Sequence, residues 1–482
     1  MTPQQRNIVE TVQARFGPKA AVTDPHELAP WLTDWRGRFK GSAPAMLAPA
    51  SVDEVAAIVT LAGEQGVPLV PQGGNTGLVG GATPLMDGAS LLVSLRRMNR
   101  IRSIDPASNL AVAEAGVILA DLHEAVLAQG RRFPLTLGAR GSATIGGLIS
   151  TNAGGTQVLR FGTMRALVAG IEAVLPDGSI HHGLPSLKKD NRGYDLNQLL
   201  VGAEGTLGIV TAASLRLVPA IASRAVAWIG VANPQAGLDL LRAMEARTRA
   251  IESFEIVPED TLAMVLEHIP GTRAPLAERA PWNVLIEAVA TSDDDEPPAD
   301  LLQRLLAEAI ESGRIIDAVI AANEAQAEAF WHLRDSIAEA ERASGPATQY
   351  DISVPVADMP RFMVEGGREV ERHYPGVHAI AFGHLGDGNV HFHARAPEGA
   401  DGARWYAEDA PRITRLVHDL VVAAGGSISA EHGIGQLKRA ELARLSAPSR
   451  IAALRAIKAA MDPHGILNPG KLVPLAQEAA GS

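Results

Sequence analysis

The sequence contains no cysteine. This absence excludes disulfide bonds, thiolate zinc sites, a cysteine nucleophile and a cofactor attached through a cysteinyl link. It agrees with a reducing compartment, and a cytoplasmic location is the expectation. Long apolar runs are also absent, since none approaches the roughly 18–20 residues of a membrane-spanning helix. The segment from Met1 to Phe16 is polar and lacks the apolar stretch of a signal peptide.

Positive charge is scarce. The chain carries 43 lysine and arginine residues against 54 acidic residues, which gives a formal net charge of −11. This balance argues against nucleic acid and anionic membranes as partners. With 482 residues the chain is too long for one ordinary hydrophobic core, so two or three domains are expected.

Glycine, by contrast, is abundant, with 47 residues, and it concentrates in two regions, Pro71–Gly81 and Gly138–Gly155. The first region follows a predicted strand at 67–70 and leads into another at 90–94. A Rossmann fingerprint needs a helix after its glycine loop, so this order argues against NAD. Backbone N–H groups in glycine turns can bind pyrophosphate without a full cation. The two regions therefore suggest a cleft for a long phosphorylated molecule, with ordinary tight turns as the alternative.

Beyond Pro219 the pattern changes to alternating strands and helices. We predict strands at 225–231, 250–257, 283–289 and 315–320, with helices at 234–246 and 300–312. Two such β-α-β units side by side favour a ferredoxin-like sheet.

The segment 377–393 has the pattern of a tight hairpin with several histidines on one face. Asp387-Gly388 is a strong two-residue turn signal. That turn would place His384 directly opposite His391, with Cβ atoms roughly 4.5–5.5 Å apart. His393 would project from the same face. The hairpin therefore predicts a metal site.

Several motifs, in this order, resemble those of FAD-dependent D-2-hydroxy acid dehydrogenases of the vanillyl-alcohol-oxidase type, the group that holds D-lactate and D-2-hydroxyglutarate dehydrogenases. They are the two glycine regions, 199–210, the hairpin, 430–435 and 468–471. The resemblance implies an α+β fold with a two-part FAD-binding domain, an inserted ferredoxin-like cap domain and a C-terminal helical segment. The expected boundaries are 1–219 for the FAD-binding domain, 220–430 for the cap that carries the hairpin, and 431–482 for the segment that closes the FAD site.

The resemblance also implies a set of FAD-binding residues. Relatives with covalent flavin often carry a histidine or cysteine in or near these loops, whereas this chain has Asn75 and no cysteine, so we expect non-covalent FAD. The implied residues are Pro71, Gly73, Gly74, Asn75, Thr76, Gly77, Gly80, Gly138, Gly141, Ser142, Gly146, Asn152, Glu204, Gly208, Ile209, Asn468 and Lys471.

By the same resemblance, His384, His391 and Glu431 match the ligands of a divalent metal. Zinc is favoured, and this donor set also admits manganese or iron. His432 matches the general base, and Arg334 matches the arginine that holds the substrate carboxylate. From the residues alone, Glu431-His432 also fits a helix N-terminus, and Arg334 also fits a solvent-facing helix position.

The implied reaction oxidises a D-2-hydroxy acid to the 2-oxo acid. A hydride passes to flavin N5, a proton passes to His432, and the electrons leave to an acceptor other than NAD, such as an electron-transfer flavoprotein or a quinone. Two substrate-binding positions depart from the 2-hydroxyglutarate pattern, because Gln349 stands where a lysine is usual and His393 where an asparagine is usual. Losing a fixed positive charge weakens binding of a second carboxylate. His393 would compensate if it is protonated, and the alternative is that it lines a different pocket.

The sequence leaves the particular 2-hydroxy acid, the acceptor, the metal and the oligomeric state open, with a homodimer among the options. Two other functions stay open as well. One is a zinc-dependent hydrolase that uses His384, His391 and Glu431 to activate water, and the other is a non-catalytic flavin- or metal-binding protein.

Overall fold

The computed structural model describes residues 1–474, so residues 475–482 of the expected C-terminal segment lie outside it. The chain divides into two compact units. The first combines residues 1–155 and 161–219 with residues 431–474, and the second combines residues 156–160 with 220–430. Segments from before and after the second unit thus build the first.

The strands that residues 1–474 contribute to the first unit form three sheets. They are β1 (Ala21–Val22), β2 (Met46–Leu47), β3 (Leu69–Gln72), β4 (Leu91–Ser94), β5 (Ile101–Asp105), β6 (Leu110–Glu114), β7 (Arg131–Arg132), β8 (Val168–Val174), β9 (Ile180–His182), β10 (Ile209–Arg216) and β11 (Val218–Pro219). The sheet orders are β1-β2-β4-β3, β5-β6-β10-β8-β9 and β11-β7. In the first sheet, β2, β4 and β3 run parallel. The first glycine loop therefore leaves the sheet at the carboxyl end of β3.

The helices before residue 220 are α1 (Pro3–Phe16), α2 (Pro25–Leu28), α3 (Val52–Gln65), α4 (Leu119–Leu127), α5 (Ile145–Thr151), α6 (Val158–Phe161), α7 (Met164–Leu167) and α8 (Leu196–Leu200). Local sequence sets the ends of α3. The Ser51 hydroxyl accepts a hydrogen bond from the Glu54 N–H at 3.2 Å, and Gly66 ends the helix with φ of 62°.

The second unit is built on one seven-stranded sheet. Its strands are β12 (Ser223–Val231), β13 (Ile251–Pro258), β14 (Trp282–Ala290), β15 (Asp317–Ile320), β16 (Ala347–Ser353), β17 (His378–His384) and β18 (Asn389–Arg395). They are ordered β15-β12-β14-β13-β17-β18-β16, and all pairs are antiparallel. Strands β12 to β15 have the ferredoxin-like order that the sequence predicts. The histidine hairpin, formed by β17 and β18, and strand β16 extend that sheet.

The helices from residue 220 onward are α9 (Pro234–Glu245), α10 (Glu259–His268), α11 (Pro298–Glu311), α12 (Glu324–Asp335), α13 (Ile337–Ala343), α14 (Met359–His373), α15 (Gly402–Arg404), α16 (Ala410–Ala423), α17 (Arg439–Leu445) and α18 (Pro448–Met461). The last two belong to the first unit. No helix of residues 1–474 is both long and apolar enough to cross a membrane.

Each face of the seven-stranded sheet has its own apolar core. Leucines and methionines of α9, α11 and α14 pack with Phe254 and Phe392 on one face. On the other face, residues of α10, α12 and α13 pack with Trp228 and Phe382. Because side chains alternate between the two faces along a strand, the pairing of neighbouring strands decides which residues share a face with Phe382.

The observed register of the hairpin differs from the predicted one by two residues. His384 pairs with Asn389, and Phe382 pairs with His391, so the direct opposition of His384 and His391 is wrong. The turn spans residues 385–388 because Leu385 is fully buried and donates its N–H to the Phe254 carbonyl of β13 at 3.0 Å. A shift of two residues keeps both histidines on one face, where they are diagonal neighbours.

Candidate functional site

The first unit contains a cavity of about 630 Å³, within the range of cofactor sites. All of its lining residues belong to that unit. Its walls are the loop after β3, the segment that leads into α5, the entry to β10 and residues 431–432. Most of the expected FAD residues line it: Pro71, Gly73, Gly74, Asn75, Thr76, Gly77, Gly138, Gly141, Ser142, Gly146, Glu204, Gly208 and Ile209.

Two glycines of the first loop allow it to lie directly against the second loop. A Cβ on Gly74 would stand 1.9 Å from the Ser142 carbonyl oxygen, and one on Gly73 would stand 2.2 Å from Thr144 Oγ1. Larger residues do not fit at either position. At three other lining positions, Gly77, Gly138 and Gly141, an added Cβ would meet no atom of residues 1–474 within 4 Å. Their backbone instead borders the cavity, which leaves space beside it for a ligand.

The polar groups of this cavity fit an anionic, hydrogen-bonding cofactor. Among residues 1–474, no lysine or arginine lines it, so a pyrophosphate would depend on backbone N–H groups of the glycine loops. Gln72 Oε1 and Thr144 Oγ1 line it as well, and both are buried without a hydrogen-bond partner in that described part of the chain. A buried polar atom without a partner is costly, and a bound FAD offers groups that would satisfy both.

Sequence reasoning did not select Gln72 or Thr144. A positional signal was present, because Gln72 ends β3 directly before the glycine loop and Thr144 directly precedes α5. Polar side chains at such element ends commonly face a binding site.

Four expected FAD residues lie outside the cavity lining: Gly80, Asn152, Asn468 and Lys471. Asn468 is buried, and its Nδ2 donates to the carbonyls of Gly81 at 2.9 Å and Glu204 at 2.7 Å. Asn152 ends α5 with φ of 51°, and its Oδ1 accepts from the Arg165 N–H at 2.9 Å. The side chains of Asn152 and Asn468 therefore anchor chain segments that lie next to the residues lining the cavity.

Glu204 is a buried carboxylate in the cavity wall. It accepts hydrogen bonds from the N–H groups of Ile434 at 2.7 Å and Gly435 at 2.8 Å. Burial raises the pKa of Glu204 to about 7, although these two N–H groups and the charges of Lys438 and Lys471 act in the opposite direction. Glu204 thus ties the segment that follows Glu431 and His432 to the cavity.

Glu431 and His432 line this same cavity. They lie in a bend, not in a helix, so the helix N-terminus considered as an alternative is wrong. A carboxylate and an imidazole therefore lie in the wall of the cavity that fits the flavin.

In the second unit, His384 and His391 have ring centroids 5.3 Å apart. His384 Nδ1 lies 2.5 Å from Glu255 Oε1, and Glu255 Oε2 accepts from Arg334 Nε at 2.8 Å. Burial alone would raise the pKa of Glu255, but His384 and Arg334 lower it to about 2, so the carboxylate is ionised. With Nδ1 turned toward Glu255, Nε2 is the His384 nitrogen that a metal would use.

The pKa of His391 lies well below its ordinary value. Desolvation is the main cause, and the charges of His384 and Arg334 add to it. A neutral imidazole is the form that binds metals. The two histidines therefore fit the metal pair that the sequence predicts.

The Phe382 ring connects this pair to the expected substrate residues. The Arg334 guanidinium carbon lies 5.2 Å from its centroid, and the rings of His391 and His393 lie 5.2 and 5.0 Å away. Gln349 is the cross-strand partner of His393. The fold thus gathers these expected residues of the second unit on one face of the sheet.

Two further residues of this cluster, Glu255 and Glu341, were not selected from the sequence. Glu341 Oε1 lies 2.7 Å from His393 Nδ1. Glu255 had a signal, because it is a charged residue inside the apolar run of β13. Glu341 had none, because charged residues are ordinary on a short helix such as α13.

Two family models match long segments of this chain. Residues 43–183 match the FAD binding domain family, and residues 221–472 match the C-terminal domain of FAD linked oxidases. The chain belongs to the FAD-linked oxidase family. FAD binding explains the glycine loops of this FAD-linked oxidase, whereas the function of a zinc hydrolase leaves these loops unexplained.

Two curated relatives are D-2-hydroxyglutarate dehydrogenases. The mitochondrial protein of Arabidopsis thaliana is 37% identical over 463 residues, which cover 95% of this chain and 80% of the relative. The protein of Xanthomonas citri pv. viticola is 37% identical over 450 residues, or 93% of each chain. Among solved structures, p-cresol methylhydroxylase superposes with a TM-score of 0.76 at 15% identity, with 98% of both chains covered. The expected fold class is confirmed.

Proposed function

We propose that this FAD-linked oxidase oxidises a D-2-hydroxy acid to the 2-oxo acid and passes the electrons to an acceptor other than NAD. An electron-transfer flavoprotein or a quinone would serve as that acceptor. The observation that carries the proposal is the presence of Glu431 and His432 in the wall of the cavity that fits FAD. The relatives named D-2-hydroxyglutarate dehydrogenase support the same reaction class.

The glycine loops would hold FAD without a covalent bond, because this chain has no cysteine and carries Asn75 in the first loop. Gln72 and Thr144 would supply side-chain contacts to it. Bound FAD would supply the electron acceptor for the two electrons that leave substrate C2 together with its hydrogen.

The proposed roles of the protein side chains follow from their charges. Arg334 binds the substrate carboxylate, and Glu255 orients Arg334 through the bond to its Nε. His432 accepts the proton of the substrate hydroxyl as general base. The hydrogen on substrate C2 leaves with the electron pair of its C–H bond, and the hydroxyl proton passes to His432. A C=O bond then forms between C2 and its oxygen.

We also propose that His384, His391 and Glu431 hold a divalent cation. Three nitrogen and oxygen ligands are the usual protein contribution to a catalytic site with an open position. The ionised Glu255 beside His384 and the neutral state of His391 support this assignment. The bound cation would lower the pKa of the substrate hydroxyl, as a metal lowers that of bound water, which makes an imidazole a sufficient base. Zinc, manganese and iron all suit this donor set.

Anaerobic titration of the purified holoprotein tests the reaction. D-2-hydroxy acids should bleach the visible absorption of the flavin, and their L-enantiomers should leave it unchanged. A protein that stays colourless after incubation with FAD would contradict the proposal. So would a flavin that no D-2-hydroxy acid reduces.

A further inference from the structure

A second buried glutamate, Glu341, belongs to the cluster of side chains around Phe382. Glu341 of α13 is 1% exposed and lies between the cross-strand partners His393 and Gln349. Its Oε1 is 2.7 Å from His393 Nδ1, and its Oε2 accepts from Gln349 Nε2 at 2.5 Å. Both carboxylate oxygens are therefore engaged by neighbours on the face that the expected substrate residues share.

Glu341 carries its negative charge in this environment. Burial alone would raise its pKa, but the charge and hydrogen bond of His393, the amide of Gln349 and the charge of Arg395 lower it below the ordinary value. The side chains of His393 and Gln349 are thus already engaged by the Glu341 carboxylate.

Arg334, one guanidinium of this face, bonds Glu255. Arg395, two residues beyond His393, places Nη1 3.7 Å from Met264 Sδ. The proposed function assigns Arg334 to the carboxylate at C1 of the substrate. A second carboxylate reaching His393 and Gln349 would instead meet the buried anion of Glu341. Like charges brought together out of water oppose binding, and this is a common basis of specificity.

We propose that Glu341 makes this enzyme selective for 2-hydroxy acids with an uncharged side chain, by keeping a second carboxylate away from His393 and Gln349. This inference rests on the proposed function. It sets the substrate class apart from D-2-hydroxyglutarate, the dicarboxylate in the names of the relatives.

A pair of substrates with nearly the same shape tests the selectivity. D-2-hydroxyglutarate and its side-chain amide, D-2-hydroxyglutaramate, differ in one charge. In stopped-flow reduction of the wild-type holoenzyme, we expect kcat/KM for the amide to exceed that for the dicarboxylate by about 10-fold or more. A preference for the dicarboxylate would overturn the inference and leave the proposed function intact. No flavin reduction by either compound or by shorter D-2-hydroxy acids would reject the proposed function itself.

Glu341→Gln removes the charge and keeps the shape. The Gln349 amide can turn over to offer its oxygen, so both hydrogen bonds have partners in the variant. We expect the amide-to-dicarboxylate ratio to fall by about 10-fold. Glu339→Gln, an exposed glutamate on the same helix, is the matched control and should keep the wild-type ratio. An unchanged ratio in Glu341→Gln, with flavin content and melting temperature preserved, would overturn the inference.

A second variant covers the case in which Glu341→Gln does not fold. Gln349→Lys places a cation against Glu341 and should also lower the ratio, because the anion is then neutralised in place. The half-buried Gln349 side chain gives the longer lysine a route toward solvent. A ratio that stays at the wild-type value in this variant would likewise contradict the role of Glu341.

Discussion

Glu255 Oε1 lies 2.5 Å from His384 Nδ1, and the second oxygen of the same carboxylate bonds Arg334. One fully buried acid therefore orients both a proposed metal ligand and the proposed substrate-binding guanidinium. Carboxylates behind metal-bound histidines set the ring orientation and increase the basicity of the ligand. In this protein the same group also fixes where the substrate carboxylate would bind.

Glu255→Gln should lower metal affinity by about 10- to 100-fold, because the imidazole loses its anionic partner. The substrate KM should rise as well, since Arg334 loses its anchor. Metal content by mass spectrometry after dialysis against buffered zinc measures the first effect. Glu252→Gln is the control, since Glu252 is a buried glutamate of the same strand that pairs with Arg160 at 3.2 Å. It should lower stability without changing the metal content, whereas equal metal loss in both variants would contradict the role of Glu255.

His384→Ala should keep FAD and lose substrate-driven bleaching by about 100-fold or more, because the substrate hydroxyl keeps its ordinary pKa without the cation. Removing the metal from wild type with a chelator should have the same effect, and added zinc should reverse it in wild type alone. His378→Ala is a matched control, because His378 lies on the same face of β17 and pairs instead with Asp260 at 3.0 Å. Full activity in His384→Ala would mean that the histidine pair is structural.

Gly141→Ala should weaken FAD binding by about 10-fold or more, because the methyl group would enter space that the cofactor needs. The apoprotein should keep its unfolding free energy to within about 0.5 kcal/mol, since the added Cβ meets no atom of the described residues within 4 Å. Titration of the apoprotein with FAD, followed by flavin fluorescence, measures the affinity. Gly63→Ala on α3 is the control, where the Cβ meets Ile466 at an ordinary 3.8 Å. Unaltered FAD affinity in Gly141→Ala would place the cofactor elsewhere.

The raised pKa of Glu204 predicts a pH dependence of apoprotein stability. The folded state holds this proton up to a pKa of about 7, whereas the unfolded chain releases it near 4.5. Stability from this group is thus present at low pH and is lost as pH rises from about 4.5 to 7. The loss is on the order of 3 kcal/mol. Glu204→Gln should remove this slope between pH 5 and 7 in urea unfolding.

The Glu204→Gln variant changes both the charge and the hydrogen bonding at this position, and their effects on stability differ in pH dependence. The glutamine loses one acceptor for the N–H groups of Ile434 and Gly435, which costs about 1–3 kcal/mol at every pH. The exposed Glu124→Gln control should retain the wild-type slope. A wild-type slope that persists in Glu204→Gln would show that other groups cause it.

Much of the fold could be predicted from local patterns. The alternation of apolar residues and the Asn233-Pro234 helix start are enough to locate β12 and α9, and four such strands suffice for the ferredoxin-like order. The glycine loops likewise predicted the cavity, because glycines at such density in loops serve close backbone approach. Gly73 and Gly74 show this contact directly. The family motifs supplied the order of these parts along the chain.

The sequence by itself determined which face each histidine of the hairpin occupies, because side chains alternate with a period of two along a strand. It could not determine which residues stand opposite each other, since a shift of two keeps every face and changes every pair. The burial of Leu385 against β13 decided that register. Tertiary packing also brought Glu255 to His384 and Glu341 to His393, across 129 and 52 positions of the chain. Such pairs leave no local pattern, because their energy comes from partners that only the folded chain places together.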